Sequence, residues 1–187
     1  LTGGAGFIGS HLAETYLKHG HRVAVIDDLS TGSKNNLSRK TKFYKEDIRN
    51  AKGVEKILRA ERPDVINHHA ALTNVTLSVE KPILTYEINV LGTMNLLISF
   101  GRYSRGERKF ILASSGGSIY GNPREIPARE ETLPNPLSPY ALSKLLAEEA
   151  VKFQSKTDGF NYTILRYANV YGPRQKNGIV PIFGKLM

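Results

Sequence analysis

The sequence predicts an α/β fold in which helices wind on both faces of a parallel sheet. Three observations carry this expectation. Short apolar runs alternate with longer helix-spaced segments from one end to the other. A glycine-rich turn opens the chain and leads straight into a helix-spaced segment. The next apolar run ends on an acidic residue about 20 positions further on.

The elements follow in order. The glycine motif starts at Thr2 and normally follows a buried strand, of which almost nothing precedes it. The first residue is Leu1, not Met, and residues 179–187 read as the start of another helix. The expectation is a piece of a longer protein. Residues 1–178 would form a nucleotide-binding domain, and 179–187 would begin a smaller C-terminal substrate domain otherwise absent from the chain. Residues 7–19 carry Ile8, Leu12, Tyr16 and Leu17 at helical spacing and end near Gly20. Residues 23–26 (VAVI) form an apolar run typical of a strand buried on both faces. Phe43-Tyr44, Val65-Ile66, 110–112 and 162–165 read as further strands. Residues 81–100 are helix-spaced through Ile83, Leu84, Ile88, Leu91 and Leu97, with Pro82 suited to a first turn. Residues 138–156 form a third long helix, and 121–139, rich in Pro, Glu and Asn, a surface loop. Right-handed crossovers make the doubly wound topology the economical one.

Composition limits function. The chain has 187 residues, 40% hydrophobic and 23% charged, which suits one globular domain. No uninterrupted apolar stretch approaches the roughly 18 residues of a membrane span, and no leader pattern is visible. Cysteine is absent, which excludes disulfides and thiolate metal sites, and no metal is expected. The net charge of +9 raises a nucleic-acid partner. The basic residues are scattered, with no repeated basic–aromatic pattern, so solvated faces are expected instead.

TGGAGFIGS at 2–10 places glycines at 3, 4, 6 and 9. A Cβ would obstruct the tight turn at Gly3 or Gly4, keep a diphosphate off the backbone at Gly6, and push the helix outward at Gly9. The free N–H groups of the following helix would face the phosphates. Asp27, at the end of the next strand, can accept from the adenosine ribose hydroxyls, and Asp28 could share the role. An acid there repels the extra phosphate of NADP, so NAD is the expected cofactor on a Rossmann fold.

Tyr140 and Lys144 form a Tyr-x-x-x-Lys pair, one helical turn apart. Ser138 can cap this helix, with Pro139 at its first position. An ammonium beside the phenol is expected to lower its pKa and make it a base for an alcohol proton. A hydroxyl from ASSGGSIYG at 113–121 would complete the group.

The sequence resembles the extended short-chain dehydrogenase/reductase family, and within it the nucleotide-sugar 4-epimerases. The resemblance rests on TGGAGFIGSH at 2–11, IDDLSTG at 26–32, EDIRN at 46–50 and HHAA at 68–71. It continues with NVLGT at 89–93, SSGGSIYG at 114–121, SPYALSK at 138–144 and LRYANVYGPRQ at 165–175. It implies that Gly3, Gly6, Phe7, Ile8 and Gly9 hold the diphosphate and Asp27, with Asp28, the adenosine ribose. Asp47 and Ile48 would flank the adenine. Ala70 and Ala71 would line the cofactor channel, and Asn89 and Tyr167 would lie near the nicotinamide half. Tyr140 and Lys144 would be the base and its partner, and would also contact the cofactor. Asn169 would contact the nucleotide sugar. Many family members have Ser or Thr four positions before the tyrosine of the VYG-like element, where this chain has Gly116. A double-glycine subset has the hydroxyl just before it, which makes Ser115 the catalytic and substrate-contacting residue. Ser118, across the glycines, is the alternative or a further substrate contact. His68 and His69 are expected to be structural.

The resemblance implies 4-epimerisation of a UDP-sugar through transient oxidation at C4 by tightly held NAD. UDP-glucose, its N-acetyl form and the uronic acid all remain open. A dehydratase or decarboxylase would need an acidic residue beside the catalytic hydroxyl, where this chain has Gly116-Gly117-Ser118. A 4-keto-sugar reductase would need exchangeable cofactor, and a non-catalytic NAD sensor would not need the Tyr–Lys pair. A homodimer through the helices bearing Asn89 and Tyr140, and a cytoplasmic location, are further expectations.

Overall fold

A computed structural model describes residues 1–104 and 106–175. Among the described residues five strands run parallel: β1 (Ala24–Asp27), β2 (Lys42–Lys45), β3 (Val65–His68), β4 (Lys109–Ser115) and β5 (Asn161–Tyr167). β1 pairs with β2, and β3 with β4 and β4 with β5. Thr2 joins the two groups, because it bridges Ile26 on one side and His68 on the other. The spatial order is therefore β2, β1, Thr2, β3, β4, β5. The crossovers from Thr2 to β1 and on to β2 run one way, and those leading to β3, β4 and β5 the other. That makes Thr2 and β3 the switch point, outside whose carboxyl ends ligands of such sheets bind.

Each face of the sheet has its own core. On one side lie α2 (Ala51–Glu61), the helix that ends as α5 (Gly92–Tyr103), and α7 (Pro139–Asp158). They bury Val54, Ile57, Leu58, Leu96, Leu97, Phe100, Ala147 and Val151 against Ile66, Phe110 and Leu112. On the other side α1 (Phe7–Lys18) packs Ala13, Tyr16 and Leu17 on Val23 and Val25. Among the described residues the second face is thinly covered. The β1–β2 connection holds only a 3-10 turn, Lys34–Asn36, so Leu37 and Phe43 complete that core.

Four features depart from the expected elements. Helix α2 lies in a mostly polar stretch whose apolar positions Val54, Ile57 and Leu58 are spaced for one narrow face. Asn50 caps it by accepting from the Gly53 N–H at 3.2 Å. A short α3 (Val75–Glu80) is capped by Asn74. The helix expected over 81–100 is a continuous run of α4 (Pro82–Tyr86), a widened π turn (Glu87–Leu91) and α5. Gly116–Ile119 forms one helical turn, α6.

The run Pro82–Tyr103 is long and apolar enough, by length and composition, to cross a membrane. Here Leu96, Leu97 and Phe100 pack inside the domain, and the hydropathy is that of a core helix. The expected domain boundary at 178/179, and the helix start at 179–187, lie outside the described residues.

Candidate active site

The carboxyl ends of the strands gather most of the residues expected to be functional along one edge. Thr2 delivers the glycine turn, β1 ends on Asp27, and Asp47 follows β2. His68 to Ala71 follow β3, β4 ends on Ser115, and β5 ends on Tyr167. The sheet's parallel register makes this unavoidable, since every strand points the same way.

The glycine turn has the shape of a diphosphate cradle. Gly3 sits at φ +65°, and a Cβ there would lie 2.6 Å from the Ala70 nitrogen. At Gly9 a Cβ would overlap the Gly3 carbonyl and come within 2.8 Å of the Gly4 Cα, so glycine lets α1 seat directly on the turn. At Gly6 a Cβ would meet only the Gly3 oxygen, at 3.3 Å. Helix α1 starts here with no side-chain cap and no acid in its first turn. Its first N–H groups, those of Phe7 and Ile8 included, are thus available to an anion. These residues fit a dinucleotide diphosphate.

At the adenosine end the two neighbouring acids diverge. Asp27 is buried and accepts from the N–H groups of Ala5 and Leu29, each at 2.9 Å. Burial raises its pKa against the pull of those two bonds. Asp28 is exposed and accepts from Ser30. Only Asp27 therefore faces the glycine turn. The Asp47 carboxylate pairs with the Arg49 guanidinium, which holds its pKa below the ordinary value. Ile48 is buried in the core and packs against Gly92. A cavity of about 490 Å³ opens beside Asp47, lined also by Arg49, Asn50, Glu87 and Leu91.

After β3 the two histidines differ. His68 is buried between Thr2, at 2.6 Å from Nδ1, and Thr93, at 2.9 Å from Nε2. Thr93 donates its hydroxyl to the Asn89 carbonyl, so it accepts from Nε2–H, and Nδ1 accepts from Thr2. Burial, with Lys144 nearby, keeps this ring neutral. His69 tilts against the Tyr167 ring, with Nε2 at 3.2 Å from the Tyr167 hydroxyl. Its Nδ1 is buried with no partner among the described residues. Ala70 abuts the Gly3 turn, and its N–H donates to Thr2 Oγ1. Ala71 follows, half-buried. Asn89, on the π turn, spends its whole amide on protein. It accepts from the Leu72 N–H at 2.8 Å and donates to the Leu72 carbonyl and to Ser143 Oγ. In this structure it ties the segment after β3 to α7.

Helix α7 supplies the reactive pair. Ser138 caps it by accepting from the Ala141 N–H at 3.1 Å, and Pro139 occupies its first turn. Tyr140 and Lys144 are both buried. Side chains alternate along β4, so Ser114 faces Glu148 while Ser115 faces the tyrosine. Burial raises the Tyr140 phenol, and the neighbouring Ser115, as a hydrogen-bond partner, acts against that rise. Lys144 is anchored to β4 and not hydrogen-bonded to the phenol. Its Nζ donates to the Ala113 carbonyl at 2.8 Å, and burial brings its pKa down to about 8. Ser118 lies half-buried on α6, and Asn169 is exposed beyond β5.

Several contacts that shape the site were not among the expected residues. Ser78 Oγ accepts from the Tyr140 N–H at 3.1 Å and so fixes the start of α7. The loop after Asp27 clamps Ala5 through Ser33 and Asn36. Glu148 and Arg166 form a buried ion pair beneath the end of β4. All join positions far apart in sequence, which local spacing does not reveal.

A doubly wound sheet with this glycine turn, and a Ser–Tyr–Lys group at the end of β4, defines the extended short-chain dehydrogenase/reductase class. The chain belongs to the NAD dependent epimerase/dehydratase family, which it matches over residues 1–183. It is 43% identical to a putative UDP-glucose 4-epimerase of Methanocaldococcus jannaschii, covering 98% of this chain and 60% of that protein. Its structure is similar to that of UDP-glucose 4-epimerase with UDP-glucose from Thermotoga maritima. The TM-score is 0.95 at 41% identity, over 100% of this chain and 61% of the other. The Thermus thermophilus UDP-glucose 4-epimerase complex with NAD gives a TM-score of 0.92 at 43% identity, over 98% and 59%. The chain thus spans about 60% of the length of these relatives.

Proposed function

We propose that the full-length protein is a nucleotide-sugar 4-epimerase of the UDP-glucose/UDP-galactose type that holds NAD through the reaction. The observation that carries this reading is Ser115 as hydrogen-bond partner of the buried Tyr140, with Lys144 one turn on and anchored to Ala113 of the same strand. Gly3, Gly6, Phe7, Ile8 and Gly9 would bind the diphosphate, Asp27 the adenosine ribose, and Asp47 and Ile48 the adenine. Ala70, Ala71 and Tyr167 would border the nicotinamide half.

NAD, when bound, supplies the hydride acceptor and donor at C4 of the sugar. Everything else falls to the chain. Tyr140 takes the C4 hydroxyl proton and later returns it. Ser115 holds the same oxygen by a hydrogen bond. Lys144 provides the positive charge that favours a phenolate and a donor for ribose hydroxyls. Loss of the O4 hydroxyl proton to Tyr140, with hydride leaving C4, would give a 4-keto sugar; hydride return to the opposite face of C4, with the proton returned to O4, would give the epimer. Asn169 and Ser118 would touch the nucleotide sugar.

Dehydration is disfavoured by the absence of a carboxylate at 116–118. Glu148 reaches the end of β4 from the opposite face and is held there by Arg166, so it cannot serve as the second acid. The partner surface fits a second copy of the chain. Ile83, Leu91 and Ile98 form one exposed apolar stripe, and Leu142, Leu146 and Phe153 on the adjacent α7 form another. Such paired stripes suit a four-helix contact across a twofold axis.

The test is turnover of UDP-galactose by the full-length protein and by its Tyr140→Phe variant. A loss of at least about 100-fold is expected, the contribution of a general base. Near-normal turnover by the variant would remove Tyr140 from its role.

A further inference from the structure

Beneath the Ser115–Tyr140–Lys144 group lies a charged cluster that the proposed chemistry does not use. Glu148 follows Lys144 by one turn on the same face of α7 and is 1% exposed. Its Oε1 accepts from Ser114 Oγ at 2.6 Å and from Arg166 Nε at 3.0 Å, and its Oε2 from Arg166 Nη2 at 2.7 Å. Arg166 Nη1 donates onward to the Tyr120 hydroxyl at 2.8 Å and the Glu130 carbonyl at 3.2 Å. One ion pair thereby fastens the ends of β4 and β5, the turn α6 and the 121–139 loop to α7. Arg166 stands opposite Ser114 in the strand register, and Tyr167 opposite Ser115.

Breaking a buried ion pair is costly, so such a cluster holds its geometry tightly. What it holds is the residue before the catalytic hydroxyl and the helix bearing the base. We propose that the Glu148–Arg166 pair is a positioning element of the reaction, which sets Ser115 against Tyr140 and gives the Lys144 ammonium its negative neighbour. The inference rests on the epimerase reading above. Among the described residues the groups that face Lys144 are few. His68 and His69 approach from β3 and are neutral, the Ala113 carbonyl comes from β4, and Tyr140 and Glu148 share its helix. Glu148 alone among them carries a negative charge with Tyr140 protonated, and it opposes the fall that burial imposes on the lysine.

The test uses full-length protein carrying Glu148→Gln, Glu148→Asp or Ser114→Ala, with retained NAD measured after acid release and kcat measured against pH. Glu148→Gln removes the charge. The alkaline limb of kcat should move to lower pH by on the order of one unit, while NAD remains bound. Glu148→Asp restores the charge and should return the limb towards its parent position. Ser114→Ala keeps the ion pair but frees the end of β4. It should lower kcat about 10-fold, with KM and the limb unchanged, as misplacement of a catalytic group does. The Ser114→Ala result decides the positioning claim even if Glu148→Gln does not fold, since a kcat equal to the parent's overturns it. Profiles that superimpose for parent and Glu148→Gln overturn the electrostatic half. A parent protein that converts no UDP-sugar sinks the epimerase reading itself, a separate outcome.

Discussion

The Lys144 ammonium donates to the Ala113 carbonyl at 2.8 Å, not to the Tyr140 phenol one turn before it. The lysine is thus anchored to the strand that carries Ser115, and its burial disfavours the charged form. Below about pH 8 it is an ammonium, and above that it is neutral. If the reaction needs the ammonium, kcat falls as pH rises through about 8. A pH–rate profile of the full-length protein checks this, and a flat profile to pH 10 would count against it.

Ser115 and Ser118 can be told apart. Ser115 is buried beside Tyr140, whereas Ser118 is half-buried one turn on. Ser115→Ala should cost on the order of 100-fold in kcat, as loss of a donor to a reacting oxygen does. Ser118→Ala should act mainly on KM. Steady-state kinetics of both variants decides it, and the reverse ranking would move the catalytic hydroxyl to Ser118.

Gly9→Ala should damage both stability and cofactor retention. Its Cβ would meet backbone atoms of Gly3 and Gly4, which cannot swing aside. A loss of about 1–3 kcal/mol is expected from such overpacking. Gly117→Ala, whose Cβ meets nothing within 4 Å, should leave the unfolding temperature unchanged. Thermal unfolding of both variants, with NAD content measured alongside, is the check.

The histidines make the domain acid-sensitive. Burial pushes His69 down to about 4 and His68 well below its ordinary 6.5. Between those limits the unfolded chain binds protons that the folded one does not, so stability falls as pH drops from about 6.5 towards 4. Each group contributes up to about 1.4 kcal/mol per pH unit inside that window. Denaturant unfolding at pH 7, 6 and 5 should show this decline, with a shallower slope for His69→Phe.

Leu146→Glu places a charge in the exposed stripe of α7. If that stripe is a dimer contact, the variant should elute as a monomer while the parent elutes as a dimer. A parent that is itself monomeric would contradict the contact.

Much of this was legible in the sequence because it is local. The glycine spacing, the acid ending β1 and the Tyr140–Lys144 turn each lie within one loop or helix, and the five strands after Thr2 stand out as apolar or β-branched runs. Less was legible where the determining contact is distant. Helix α2 has a face of only Val54, Ile57 and Leu58, and that face becomes meaningful when α5 covers it. The π turn around Asn89 has no pattern of its own, and Asn89 finds its partners at Leu72 and Ser143. The expected effect of Lys144 on the phenol came from helical spacing alone. Spacing put the two on one face, but the lysine's hydrogen bond goes to the Ala113 carbonyl. Glu148 and Arg166 carry no local signal, and it takes the packing of α7 on β4 and the pairing of β4 with β5 to bring them together.

The most direct measurement is chromatography of UDP-sugars incubated with the full-length protein and no added cofactor. Interconversion of UDP-glucose and UDP-galactose, or of a related 4-epimer pair, is the predicted result, because NAD is retained from one turnover to the next. No conversion until NAD or NADPH is supplied, or accumulation of a 4-keto product, would contradict it and point to a reductase or dehydratase instead.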